Sequence, residues 1–188
     1  MNTPISASAT ATATAMDTWP DYQNRDDLLQ ASAWVMQYKP NAAALLQQER
    51  NTITDEEFDD DGLLETPAIA RHLDEIRSGD FILFWMCGPG DTAGLYAWGN
   101  ASGEATERDY PRDWSDLDGP SERKTAMEVW IGEVFAQPFL TRSALKQLPE
   151  FDDFELFEMP NRANAFAVTP QQWSIILDHL TGRDTPVV

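Results

Sequence analysis

The chain has 188 residues, 42% of them hydrophobic and 11% aromatic, including seven Trp. That is one domain's worth of chain with enough apolar surface for a core, which excludes wholesale disorder. Thirteen Lys and Arg against 32 Asp and Glu leave a formal charge of −19, which disfavours a broad phosphate-neutralising groove but not a local basic site. A single cysteine, Cys87, excludes an internal disulfide, and no Cys/His set suits a structural zinc ion. The longest apolar run, Phe81 to Cys87, is far short of the roughly 18 residues that span a bilayer. The first residues carry neither the basic nor the apolar region of a secretory signal. The expectation is a soluble cytoplasmic protein without a membrane partner.

Residues 1–30, with their Ala/Thr repeat, offer no apolar face and read as a disordered tail. The domain is expected over 31–182, leaving 183–188 as a second tail. Trp34 to Tyr38 is an aromatic and β-branched run that predicts a strand, and Pro40 suits the first turn of a helix after Lys39. From Thr52 to Glu65 the chain reads as an acidic loop; the ten residues 53–62 alone hold six acids and no base. A helix is expected from Thr66, with Pro67 at its first position, Ile69, Leu73 and Ile76 on one face, and Ser78-Gly79 as its stop.

Phe81 to Met86 is apolar at every position, which predicts a strand covered on both faces. Gly88 to Asp91 makes a turn, and Ala93 to Gly99 pairs back as a hairpin. A loop is expected from Gly103 to Arg123. The stretch Ala126 to Phe135 alternates, placing Met127, Val129, Ile131 and Phe135 on one face. Thr141 to Leu148 predicts a short helix. Thr169-Pro-Gln-Gln172 is a capping box with proline at the first helical position, ahead of the stripe Trp173, Ile176, Leu177 and Leu180, with Gly182 as the stop. Strands without βαβ alternation give an α+β fold built on a small curved sheet or barrel.

A nucleophilic enzyme would need Cys87 with His72 or His179, but both histidines sit on apolar helical patterns and read as half-buried helix residues. The acidic run fails as a calcium loop, because aligning Gly62 with the loop glycine puts Ala68 where a bidentate Glu is required. No phosphate-loop, dinucleotide or zinc-protease motif occurs, so no cofactor and no metal are expected. What remains is aromatic: Trp34, Tyr38, Trp85, Tyr96, Trp98 and Trp130 lie along four strands. They either fill the core or gather at one mouth to stack on a flat ligand.

Three segments in order resemble the EVE domain, a member of the PUA-like superfamily. Trp34-Val-Met-Gln-Tyr-Lys-Pro40 is similar to that family's opening strand. Glu75-Ile-Arg-Ser-Gly-Asp-Phe-Ile-Leu-Phe-Trp85 with Asp91-Thr-Ala-Gly-Leu-Tyr-Ala-Trp-Gly99 resembles its "EIxPGDxVxLW" and "DAGIxAxG" runs. Val129 to Leu148 with Phe166-Ala-Val-Thr-Pro170 resembles the remainder. The likeness covers about residues 33–181. It implies a small PUA-like curved β-barrel with flanking helices and an aromatic pocket that takes a flipped, modified base of DNA or RNA, without catalysis. Carried over, Trp34 and Trp85 would wall the pocket, with Tyr38 and Trp98 nearby. The strand end at Met86 and Cys87, together with Asn164, would supply edge contacts, and Arg71, Arg77, Arg142, Lys146 and Arg162 would reach phosphate. Where the family has an aromatic before the Gly-Asp turn, this chain has Thr66 and Pro67. The other class of function compatible with the composition is an acidic interaction module that binds a basic protein or mimics nucleic acid. If the acidic loop lies by the pocket, Asp59, Asp60 and Asp61 should repel phosphate over about 8–10 Å and filter out non-specific binding.

Overall fold

The computed structural model describes residues 25–38, 63–65, 67, 69, 71–72, 74–111, 121–158 and 165–181. Among these residues seven strands build one mixed sheet: β1 (Ala33–Tyr38), β2 (Leu63–Glu65), β3 (Phe81–Met86), β4 (Gly94–Pro111), β5 (Ser121–Val134), β6 (Leu140–Thr141) and β7 (Ala165–Val168). Among the described residues four α-helices accompany it: α1 (Arg25–Gln30), α2 (Arg142–Leu145), α3 (Glu155–Glu158) and α4 (Pro170–Leu180). The strand order is β2-β5-β4-β3-β1-β7, with β6 paired to β4. Among the described strands β1 and β3 run parallel and the other pairs are antiparallel. The fold is thus α+β as expected. Among the described residues β2 and β7 end the path without pairing to each other, so the sheet is open and the expected barrel closure is not seen. No helix among them is long and apolar enough to cross a membrane.

The two-sided burial expected of Phe81 to Met86 is found. Phe81, Leu83 and Trp85 join Val35 and Phe166 in a core roofed by Leu28 of α1, Leu145 of α2, Leu156 of α3 and Trp173, Ile176 and Leu177 of α4. Ile82, Phe84 and Met86 point the other way, into a second core with Trp34, Met36, Met127, Val129, Ile131, Ile69 and Ile76. Alternation along β1 and β3 therefore sorts side chains between two cores. The α4 capping box is complete: the Thr169 hydroxyl accepts from the Gln172 amide at 3.3 Å, and the Gln172 side chain accepts from the Thr169 amide at 2.9 Å.

Several expectations are corrected. Residues 25–30, assigned to the disordered tail, form α1; Leu28 is 2% exposed, and its carbonyl accepts the Trp173 indole N–H at 2.7 Å. The helix expected from Thr66 to Ser78 is absent at its described positions. There Ile69 donates its amide to Thr125 and Pro67 accepts that of Met127, so the first part lies along β5, and the Glu75 and Ile76 amides then close a single turn on the His72 carbonyl. Leu63 to Glu65, placed in the acidic loop, form strand β2 on β5. Most of the loop expected over 103–123 is instead the long β4–β5 hairpin, pairing Thr106 through Pro111 with Ser121 through Ala126. The helix after Lys39, the acidic residues 52–62, Asn164, Arg162, Gly182 and the tail 183–188 lie outside the described residues; Thr181 caps α4.

Because α1 closes one core, deletion of residues 1–24 and deletion of 1–30 are expected to differ. The longer deletion removes a buried Leu and the indole's acceptor, lowering stability by about 2–3 kcal/mol relative to the shorter. Denaturant unfolding of the two truncated chains measures this difference; equal midpoints would mean that α1 adds nothing.

Candidate functional site

The parallel pair β1 and β3 ends at Tyr38 and Met86, and a recess of about 170 Å³ opens at those carboxyl ends. Strand ends suit a site, since the ladder stops there and side chains and backbone groups can turn to a ligand. The apolar lining is Trp85, Ala93, Leu156 and Phe157; the polar lining is Gln37, Cys87, Gly88 and Arg142. The volume is below the roughly 300–1,000 Å³ of drug-sized sites, so it suits one ring system rather than a whole nucleotide.

The register assembles this lining. Gln37 stands opposite Trp85 in the parallel pair, and its side-chain amide donates to the Cys87 sulfur at 2.7 Å. Phe157 meets Trp85 edge-on, with ring centroids 6.1 Å apart, and is backed by Phe154 at 5.5 Å. Trp85 is 3% exposed, so it belongs to the core as much as to the recess, while Phe157 is half-buried.

Two cations share the Phe157 ring. The Arg142 guanidinium lies 5.9 Å from its centroid and the Lys146 ammonium 5.4 Å. Among the described residues neither forms an ion pair. Four other basic residues are paired: Arg71 holds Glu155 at 2.7 Å, Arg108 holds Glu128, Arg123 reaches Glu107 at 3.4 Å, and Lys124 holds Glu122 at 2.5 Å, while Arg77 donates to the Ile76 carbonyl. On a chain with a formal charge of −19, two adjacent cations without a carboxylate partner are unexpected unless an anion meets them.

Of the expected site residues, the structure brings Trp85, Cys87, Arg142 and Lys146 together. It does not bring Trp34 to them. Trp34 lies in the other core, where its indole N–H donates to Asp80 at 2.9 Å and its ring packs 5.2 Å from that of His72. The cage of Trp34 with Trp85 is therefore not formed; the two indoles project from opposite faces of the sheet. Met86 and Trp98 are buried in separate cores, 1% exposed each. Arg77 donates to the Ile76 carbonyl, away from the recess lining. Arg71 reaches the region indirectly, through Glu155 next to the lining residues Leu156 and Phe157. Cys87 has Gln37 as its partner and His72 has Glu75 at 2.8 Å, so no dyad links them.

Sequence reasoning missed Gln37 and Phe157. Gln37 was visible as the one polar residue in an apolar strand, and Phe157 as the third of Phe151, Phe154 and Phe157 at spacing three.

Fold and recess define a small α+β domain with an aromatic, cation-flanked pocket at the ends of two parallel strands. The chain belongs to the EVE domain family, which matches residues 32–179. Solved structures share the fold. A Rhodopseudomonas palustris protein solved by NMR is 18% identical, with 84% of this chain and 99% of that chain covered at a TM-score of 0.53. A Pseudomonas syringae protein is 18% identical, covering 79% and 99% at 0.52. A hypothetical protein from Leishmania major is 15% identical, covering 82% and 97% at 0.53. No curated protein sequence matches the chain.

Proposed function

We propose that this chain is a non-enzymatic binding module that takes one modified nucleobase, flipped out of DNA or RNA, into the recess at Trp85 and Phe157. The observation that carries the reading is the pair Arg142 and Lys146, free of carboxylates among the described residues, on the ring that walls a recess of one-ring size. Extruding a base costs a few kcal/mol, least for an already unpaired one, and stacking on an aromatic returns about 1–3 kcal/mol. Lys146 stands outside the lining, where a backbone phosphate can reach it; Gln37 and Cys87 stand inside, where a base edge can. The negative charge of the rest of the chain suppresses non-specific backbone binding, so affinity depends on what enters the recess.

Phe157→Ala tests this. Its half-buried ring leaves stability within about 1.5 kcal/mol, while loss of stacking weakens binding to a base-modified oligonucleotide roughly tenfold or more. Lys146→Ala should weaken all sequences alike and reduce the slope of log affinity against log salt by about 1. Fluorescence anisotropy with oligonucleotides differing in one base reads both effects. Equal binding of every base, modified or not, would refute the reading; capture of basic peptides in their place would favour an acidic protein-interaction module.

A further inference from the structure

We infer that the base taken up here carries an anionic substituent, a ring carboxylate, and that Arg142 is the residue that selects it. The inference rests on the base reading proposed above and names the class of modification. The two cations on Phe157 are not equivalent. Arg142 belongs to the lining of the recess, whereas Lys146 does not. A guanidinium placed inside offers a planar fork of donors matched to a carboxylate's two oxygens. Among the described residues, none of those lining the recess is an Asp or Glu, in a chain that has 32 of them. A methyl group would gain nothing from a guanidinium and would leave it desolvated without a partner, which is unfavourable. A carboxylate on the ring removes that cost and lies in the plane of a base stacked on Phe157, whose ring Trp85 meets edge-on.

The long-range field makes this a sharp test. An added carboxylate raises the charge of the nucleic acid, and a protein of charge −19 repels it. Any preference for the carboxylated base must therefore come from a contact. Salt screens repulsion between exposed charges more than a contact in a recess, so the preference should persist as salt rises.

The experiment compares single-stranded oligonucleotides identical except for one base: cytosine, 5-methylcytosine or 5-carboxycytosine. Each is titrated into the full chain, Arg142→Gln and Arg142→Lys, at low and at physiological salt. A charge-assisted contact corresponds to at least tenfold tighter binding of 5-carboxycytosine by the natural chain. Arg142→Gln should bring the three oligonucleotides to within about threefold of one another, and Arg142→Lys should keep part of the preference. If 5-methylcytosine binds as tightly as or tighter than 5-carboxycytosine, and Phe157→Ala abolishes that discrimination, the base reading stands and the anionic inference is overturned. If none of the three is discriminated and Phe157→Ala changes nothing, both fail.

Discussion

Trp173→Ala is expected to remove about 3–5 kcal/mol of stability, the range for truncating a buried Trp. The indole is 1% exposed and packs on Phe81 with ring centroids 4.8 Å apart. Its N–H is the donor to the Leu28 carbonyl, so the substitution also orphans an acceptor in a buried place. Domains commonly have only 5–15 kcal/mol in total, so the loss would be a third or more of the whole. Trp173→Phe should recover most of the packing and leave the hydrogen bond as the remaining deficit, about 1–2 kcal/mol. Urea unfolding of the three proteins separates the two contributions. A loss below 1 kcal/mol for the alanine variant would mean that α4 and α1 do not close the core as described.

The same residue shows what local pattern can and cannot reveal. The capping box at Thr169 and the stripe from Trp173 to Leu180 depend only on neighbours within a few positions, and they were legible. So was Phe81 to Met86, whose uniform apolarity has no reading other than burial on both faces. The segment from Pro67 to Ile76 misled because its apolar spacing fits a helix, while Pro67 and Ile69 hydrogen-bond to β5 and the Glu75 and Ile76 amides close only a single turn on the His72 carbonyl. Tertiary pairing overrode periodicity there. The outer part of the β4–β5 hairpin was hidden for the opposite reason. It is polar on both sides, and its cross-strand signal is charge, as in Arg108 with Glu128 and Arg123 with Glu107.

The recess was half legible. Trp85 and Cys87 follow from the strand end, and Arg142 and Lys146 from the short helix whose N-cap hydroxyl, on Thr141, accepts the Ala144 amide. The error over Trp34 is one of register. In the parallel pairing Trp34 stands opposite Ile82 and Gln37 opposite Trp85. Positions 34 and 37 are an odd number of residues apart and point to opposite faces. A single sequence does not state which residue of one strand meets which of the next, so the aromatic count along the strands was visible and its division between faces was not.

Gly132→Val should be the other severely damaging substitution. On β5 Glu133 pairs with Trp98 and Ile131 with Gly99, so Gly132 is an extra residue, bulged out of register. The bulge shifts the alternation, which is why Phe135 packs with Phe139 in the core of Trp85 while Met127, Val129 and Ile131 occupy the other; this corrects the single face expected for all four. Above Gly132 lies the indole of Trp98, and a Cβ built on the glycine would overlap three of its ring carbons. Trp98 is 1% exposed and packs against Phe81, with ring centroids 6.2 Å apart, so it has nowhere to retreat. Overpacking of this kind costs about 1–3 kcal/mol, occasionally more, and a β-branched residue should reach the upper end. The clash has its own signature in a double-mutant cycle. Gly132→Val combined with Trp98→Leu, which shortens the obstructing ring, should cost at least 1 kcal/mol less than the sum of the single losses. Additive losses would show that the glycine serves the bulge's backbone rather than the indole. Because Trp98 and Trp85 share one core, displacement of the first should also disturb the recess wall, and Gly132→Val should weaken ligand binding even where the protein remains folded.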